Sequence, residues 1–167
     1  MAMNESVLIE QQLLCALRSR GLTFAAAESC TGGLIAKRIT DLSGASAVFR
    51  GGVVSYTNEV KRDVLGVPAA TLEEYGAVSA PVARAMAEGA RRITGADLAV
   101  SVTGVAGPDR DDRGNEVGTV YLGLAHSGGT TDTKFHFHGD RTAIRSAAAD
   151  AAFDLILQCL NEYYPTN

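Results

Sequence analysis

The stretch AAAESCTGGLIAKRI, residues 25–39, contains the transition on which the fold depends. It begins as small apolar residues, typical of a buried strand, and ends with apolar residues at helical spacing. The corner between the two halves carries Glu28, Ser29, Cys30, Thr31, Gly32 and Gly33. Such a strand-to-helix corner suits three roles: a helix cap, a phosphate-binding loop or the seat of a nucleophile.

Outward from this corner, helical and strand-like patterns alternate along the chain. Helices are predicted over 6–19, 31–44, 58–67, 71–76, 79–95 and 141–160. Strands are predicted over 22–28, 47–57, 96–107, 117–126 and 130–139, the last two joined as a hairpin. The pair Gly51-Gly52 predicts a bulge or a close backbone approach, and Ser79 is expected to cap its helix. We therefore expect one α/β domain over 1–167, a three-layer α/β/α sandwich with a mixed sheet.

Composition excludes several classes of function. The 167 residues are 46% hydrophobic with a net charge of −4, which indicates a globular chain and argues against general nucleic-acid binding. No apolar run approaches the ~20 residues of a membrane helix, and we expect neither a membrane segment nor a secretory signal. The three cysteines, Cys15, Cys30 and Cys159, have no zinc spacing. A reducing cytoplasm is therefore the expected location.

Two residues in the corner are candidate nucleophiles. Ser29 would project its hydroxyl at the edge of the sheet, whereas local pattern alone favours Ser29 or Thr31 as a simple helix cap. Cys30 is the rival, because a helix N-terminus lowers the pKa of a thiol, although a lone cysteine is more often a small buried residue. Lys61 is a candidate base if a pocket removes it from water, and otherwise a surface lysine.

Other polar clusters leave alternatives open. Arg141 and Arg145 share one helix face and suit either a phosphate or the solvent. His136 and His138 share a strand face without a third metal ligand that the sequence places, so exposed histidines are expected and no metal. The charged segment 107–116 does not match the ligand spacing of a calcium loop and is interpreted as a solvated, mobile loop.

Six segments, taken in order, resemble the C-terminal domain family of the competence/damage-inducible protein CinA. They are AESCTGG (27–33), SYTNEVK (55–61), GAVS (76–79), TGVAGP (103–108), VGTVYLGL (117–124) and GDRTAIR (139–145). Each is weak alone, but together they extend from about residue 7 to 160. Stand-alone members are nicotinamide-nucleotide amidohydrolases, so the resemblance implies hydrolysis of nicotinamide mononucleotide (NMN) to nicotinate mononucleotide and ammonia, in pyridine-nucleotide salvage. The alternative is a non-catalytic nucleotide-binding module.

The resemblance also implies roles for individual residues. Ser29 matches the family's nucleophile and Lys61 its base, with Tyr56 orienting the lysine or the amide. Substrate contacts are expected from Glu28, Thr31, Gly32, Gly33, Thr103, Gly104, Ala106, Gly107, Arg141 and Arg145. In this set an oxyanion hole is expected from the backbone N–H groups of Thr31, Gly32 and Gly33, or from those of Gly104 and Ala106. Arg141 or Arg145 is expected to bind the phosphate. No metal or organic cofactor is implied, and a homodimer or larger homo-oligomer is expected.

One segment departs from the family pattern. After AGP the family continues with glycines, whereas this chain has DRDDRGN at 109–115. Glycines allow close backbone approach to a ligand. The charged residues therefore predict either altered ligand contacts or a loop that lies outside the pocket.

Overall fold

The computed structural model describes residues 7–166 and has helices and strands in the predicted alternation. The helices are α1 Ile9–Arg20, α2 Leu34–Thr40, α3 Asn58–Asp63, α4 Ala69–Tyr75, α5 Ala80–Thr94 and α6 Arg141–Tyr163, with a short 3-10 turn at Ala45–Ala47. The strands are β1 Phe24–Glu28, β2 Phe49–Val54, β3 Leu98–Gly104, β4 Thr119–His126 and β5 Gly129–His136. Residues 1–6 and 167, which fall partly within the first predicted helix and the predicted domain, lie outside the described range.

The sheet is mixed, as predicted. Its five strands are ordered β2-β1-β3-β4-β5. β1 runs parallel to both β2 and β3, whereas β4 and β5 form the antiparallel hairpin. β1 is buried along its whole length and β3 along nearly all of it, which matches their continuous apolar sequences.

Helices cover both faces, which confirms the three-layer prediction. On one face α1, α2 and α6 pack around residues such as Leu17, Ile35 and Phe153. On the other face, α5 and α4 pack around Met86 and Leu72. The carboxyl ends of β1, β2 and β3 therefore meet at one sheet edge, where ligands bind in α/β proteins.

The Gly51-Gly52 pair has both predicted features. The register between β1 and β2 shifts opposite Gly51. A Cβ atom at Gly52 would lie 2.7 Å from the carbonyl oxygen of Ala26. Only glycine therefore allows β2 to lie this close to β1.

The bounds predicted for the helix over 31–44 were wrong, and the prediction for Ser79 was right in position but not in its hydrogen bond. The helix predicted over 31–44 is limited to Leu34–Thr40, and Gly44 instead precedes the 3-10 turn. Ser79 occupies the N-cap position of α5, but its hydroxyl donates to the carbonyl of Gly76 at 2.8 Å and accepts no bond from the helix.

Membrane and metal features were searched over the same range. Within residues 7–166 no helix combines the length and apolar character needed to span a bilayer. In that range no group of three His, Cys, Asp or Glu side chains is arranged to hold a metal. His136 and His138 are exposed, with ring centroids 5.0 Å apart.

Candidate active site

Ser29 lies directly after β1, at the carboxyl edge of the sheet. Its backbone N–H donates to Val102 of β3 at 2.9 Å, which ties the corner to the neighbouring strand. The N–H of Gly32 donates back to the carbonyl of Ser29 at 3.0 Å and closes a tight turn. Ser29 is half-buried, so its hydroxyl is both fixed and accessible.

Lys61 reaches the same point from α3. This helix is capped by Thr57, whose hydroxyl accepts from the N–H of Val60. Lys61 is only 1% exposed, and its Nζ lies 3.0 Å from the hydroxyl of Ser29 and 2.8 Å from the carbonyl oxygen of Ser55. Burial lowers the pKa of Lys61 to about 8. The amine is therefore placed to exchange a proton with Ser29 near neutral pH.

Cys30 has the opposite character. Its side chain is 6% exposed, and burial raises the pKa of its thiol to about 12. Cys30 is thus the small buried residue that the sequence favoured for a lone cysteine, and not a thiol activated at a helix N-terminus, since α2 begins only at Leu34. Position and protonation state thus favour Ser29 over Cys30 as the nucleophile.

Glu28, expected among the substrate contacts, instead binds N–H groups in the first turn of α2. It is 2% exposed, and its two carboxylate oxygens accept from the N–H groups of Ile35 at 2.8 Å and Ala36 at 3.1 Å. A carboxylate at this position satisfies two otherwise unpaired helix donors. Glu28 therefore stabilises the corner by binding the start of α2.

Thr31 does not cap α2, contrary to the sequence prediction. The N-cap residue is Gly33, at a φ of 102°. The hydroxyl of Thr31 is fully buried and has no hydrogen-bond partner within residues 7–166. Sequence alone missed the cap because the capping carboxylate of Glu28 comes from several residues upstream, across the turn.

The two arginines of α6 have different environments. Arg145 donates to the carbonyl oxygens of Cys30 at 3.0 Å and Thr31 at 2.8 Å. These bonds fix the peptide planes between Cys30 and Thr31 and between Thr31 and Gly32, since each peptide unit is rigid. The guanidinium of Arg145 therefore binds the backbone of the corner.

Arg141 faces the space in front of Ser29. It donates to the carbonyl oxygen of Gly107 at 2.7 Å and to the hydroxyl of Tyr56 at 2.9 Å. Tyr56 is 57% exposed, so the pair stands at the mouth of the site. Of the two arginines, Arg141 has the position for a ligand phosphate.

A cavity of about 190 Å³ lies in front of the Ser29–Lys61 pair. Its lining includes seven predicted residues, Ser29, Tyr56, Lys61, Thr103, Gly104, Ala106 and Arg141. The other predicted contacts lie outside the lining: Glu28, Thr31, Gly32, Gly33, Gly107 and Arg145. Larger depressions, of about 410 Å³ beside Tyr164 and about 440 Å³ beside Phe49, hold no lysine or cysteine.

Three lining residues were missed by sequence reasoning. They are Asn58, Ala77 and Val78. Asn58 lies within SYTNEVK, and Ala77 and Val78 lie within GAVS, so the quoted segments contained the signal. Ala77 is held by Thr103, whose buried hydroxyl donates to its carbonyl oxygen at 2.7 Å.

The backbone donors near Ser29 divide into used and free groups. The N–H of Gly32 is bonded to Ser29, which removes it from the predicted oxyanion hole. The N–H groups of Thr31, Gly33 and Ala106 have no acceptor within residues 7–166. Of these three residues, Ala106 lines the cavity in front of Ser29.

The charged loop 109–116 lies outside the lining of the cavity. Its residues are mostly exposed, as expected for a solvated loop, and Asp111 accepts hydrogen bonds within it. The carboxylate of Asp111 accepts from the backbone N–H of Asn115 at 2.7 Å and from that of Arg113 at 3.2 Å. The loop is therefore hydrogen-bonded in one shape, and its charged residues do not replace glycines at the cavity wall.

Fold and site together define an α/β protein with a buried lysine beside a serine at the sheet edge. The family model of the CinA C-terminal domain matches residues 7–160, and the chain belongs to this family. It is 58% identical over 137 residues to a CinA-like protein of Geobacter sulfurreducens, covering 82% of this chain and 33% of that protein. It is 47% identical over 152 residues to a putative competence-damage inducible protein of Bacillus subtilis, covering 91% of this chain and 36% of the relative. The chain thus spans about a third of the length of these relatives.

Solved structures of the family have the same fold. A CinA superfamily protein from Klebsiella pneumoniae matches with a TM-score of 0.91 and 32% identity, over 93% of this chain and 97% of that one. A competence/damage inducible protein from Agrobacterium tumefaciens matches with a TM-score of 0.88 and 37% identity, over 97% of this chain and 100% of that one.

Proposed function

We propose that this chain hydrolyses the carboxamide of NMN to nicotinate mononucleotide and ammonia, with Ser29 as nucleophile and Lys61 as base. The observation that carries the proposal is the 3.0 Å distance between Lys61 Nζ and Ser29 Oγ, with the lysine removed from water. The identity of the substrate is inferred from the resemblance to the stand-alone amidohydrolases of the family. The proposal extends to pyridine-nucleotide salvage in the cytoplasm by a homodimer or larger homo-oligomer, without a cofactor.

The first half of the reaction forms an ester. Neutral Lys61 accepts the proton of Ser29 as Oγ attacks the carboxamide carbon, and the carbonyl oxygen becomes an oxyanion. In this proposal N–H groups among those of Thr31, Gly33 and Ala106, which have no acceptor within residues 7–166, stabilise that charge. Of the three residues, Ala106 lines the cavity. Protonated Lys61 then returns its proton to the nitrogen, the C–N bond breaks, and ammonia leaves.

The second half restores the serine. Neutral Lys61 takes a proton from water, and the hydroxide attacks the nicotinoyl ester to form a second oxyanion. The ester C–O bond breaks, Ser29 regains its proton from Lys61, and nicotinate mononucleotide departs. A pKa of about 8 suits both directions of transfer, because roughly a tenth of the amine is neutral at pH 7.

The remaining polar groups define how the nucleotide would lie. The nicotinamide ring enters the cavity beside Ala77 and Val78, and the phosphate meets Arg141 at the mouth. An arginine presents several donors in a planar fork and therefore suits a phosphate. Tyr56, bonded to Arg141, keeps the guanidinium oriented.

The test is to incubate the purified chain with NMN and measure ammonia together with nicotinate mononucleotide. Wild type and Cys30→Ala are expected to form both products, whereas Ser29→Ala loses about 10³-fold or more of the rate. Full activity in a folded Ser29→Ala variant would exclude Ser29 as nucleophile. Binding of NMN by wild type without release of ammonia would select the non-catalytic nucleotide-binding module.

A further inference from the structure

The loop 109–116 places one arginine against a neighbouring helix. Besides its two backbone bonds, Asp111 accepts from the side-chain amide of Asn115 at 2.7 Å. A turn closes between Asp111 and Gly114, whose N–H donates to the carbonyl of Asp111 at 3.1 Å. Together these bonds fix the direction in which Arg113 leaves the loop.

Arg113 binds the C-terminal end of α4. Its guanidinium donates to the carbonyl oxygen of Glu73 and, at 3.4 Å, to that of Glu74. The last carbonyls of a helix lack partners within the helix and carry its negative end, so a guanidinium is well suited to them. The side chain lies across Gly76, where a Cβ atom would be 2.9 Å from Arg113 Cγ.

The segment that follows α4 forms one wall of the cavity. Ala77 and Val78 line it. From inside the protein, Thr103 binds the carbonyl oxygen of Ala77 and Ser79 binds that of Gly76. Arg113 holds the same segment from the solvent side, through the end of α4.

We infer that Arg113 is a positioning residue, which holds the wall formed by residues 76–79 in place and thereby raises affinity for the substrate without touching it. The inference rests on the function proposed above. Ser29 and Lys61 belong to other parts of the chain, and within residues 7–166 Arg113 makes no hydrogen bond to either of them. Loss of the contact therefore weakens binding in the ground state and the transition state alike, which raises KM and leaves kcat unchanged.

The first test compares Arg113→Ala with Arg110→Ala, using NMN as substrate. Arg110 is a matched control, because it carries the same charge on the same loop, and its hydrogen bond and ion pair within residues 7–166 are with Gly114 and Glu116 of that loop. We expect Arg113→Ala to raise KM about tenfold with kcat within about twofold, and Arg110→Ala to behave as wild type. A fall in kcat at unchanged KM, or equal KM in both variants, would overturn the inference.

A second readout needs no turnover. Amide hydrogen exchange at residues 77–79 is expected to be about tenfold faster in Arg113→Ala than in Arg110→Ala, with β3 amides as the reference. If wild type released no ammonia, the proposed function would fail, and this exchange comparison would still decide whether Arg113 holds the wall. Unchanged exchange would sink the positioning role whatever the activity.

A third comparison uses Asp111, which orients Arg113. Asp111→Ala is expected to raise KM about as much as Arg113→Ala, and the double variant no further than either. Additive effects would mean that the two residues act independently, contrary to the inference.

Discussion

The corners that follow β1 and β3 lie side by side at one edge of the sheet, yet their hydroxyl groups have different partners. Ser29, after β1, meets the buried amine of Lys61. Thr103, at the end of β3, donates to the carbonyl oxygen of Ala77 and so supports the cavity wall. Both corners combine a hydroxyl with glycines, and the difference teaches that the partner of the hydroxyl, rather than the corner itself, separates the proposed nucleophile from a structural group.

The largest expected effect comes from removing the partner of Ser29. Lys61→Met keeps a side chain of similar length but removes the base, and we expect a loss of about 10³-fold or more in kcat. Ammonia release from NMN measures the rate, and circular dichroism checks the fold. A folded Lys61→Met variant with substantial activity would remove the distinction between the two corners.

The two arginines of α6 test the comparison further. Arg145 binds the corner after β1, and Arg141 binds the corner after β3. Arg145→Met frees the carbonyls of Cys30 and Thr31, so we expect kcat to fall about tenfold or more. Arg141→Met removes the phosphate partner and is expected to raise KM by a similar factor. Steady-state kinetics with NMN separate the two, and the reverse assignment of kcat and KM would contradict the geometry.

The pH dependence tests the charge state of the reactive corner. Since Lys61 must be neutral to accept a proton and its pKa is about 8, we expect kcat/KM to rise about tenfold between pH 7 and 9 and then level off. The profile should be recorded above the second ionisation of the substrate phosphate, near pH 6. A flat profile over this range would argue against Lys61 as the base.

The smallest effect is expected at the structural corner. Thr103→Val removes the bond to Ala77 while keeping the shape, so KM should rise a few fold with kcat little changed. Thr103→Ser retains the hydroxyl and serves as the matched control. A loss of kcat comparable to that of Lys61→Met would mean that Thr103 takes part in the chemistry.

The fold was predictable because its central strands, β1 and β3, have nearly continuous apolar sequences. The apolar runs at β1 and β3 allow no reading other than buried neighbouring strands, and their glycine corners mark the same sheet edge. The hairpin of β4 and β5 follows from its short glycine turn. The length of α2 was missed because its start is set by Glu28, whose carboxylate reaches across the turn.

The site was predictable only in part. Local pattern favoured a cap at Ser29 and left Lys61 open, because the burial of a lysine depends on elements far apart in sequence. The ordered family segments identified both residues, but they could not separate Arg141 from Arg145, which differ only in what each guanidinium meets. The loop 109–116 was likewise ambiguous, since the order within it comes from bonds between Asp111 and residues that look simply solvated.

The buried amine also links protonation to folding. In the unfolded chain Lys61 would have the ordinary lysine pKa of 10.5, whereas burial in the folded chain lowers this pKa to about 8. Between these values the unfolded state binds more protons, so the contribution of Lys61 to the free energy of unfolding grows as pH rises from about 8 to 10.5. At neutral pH the folded chain carries this lysine as a cost in stability, and the corner that holds it is thus a proton-sensitive weak point of the fold.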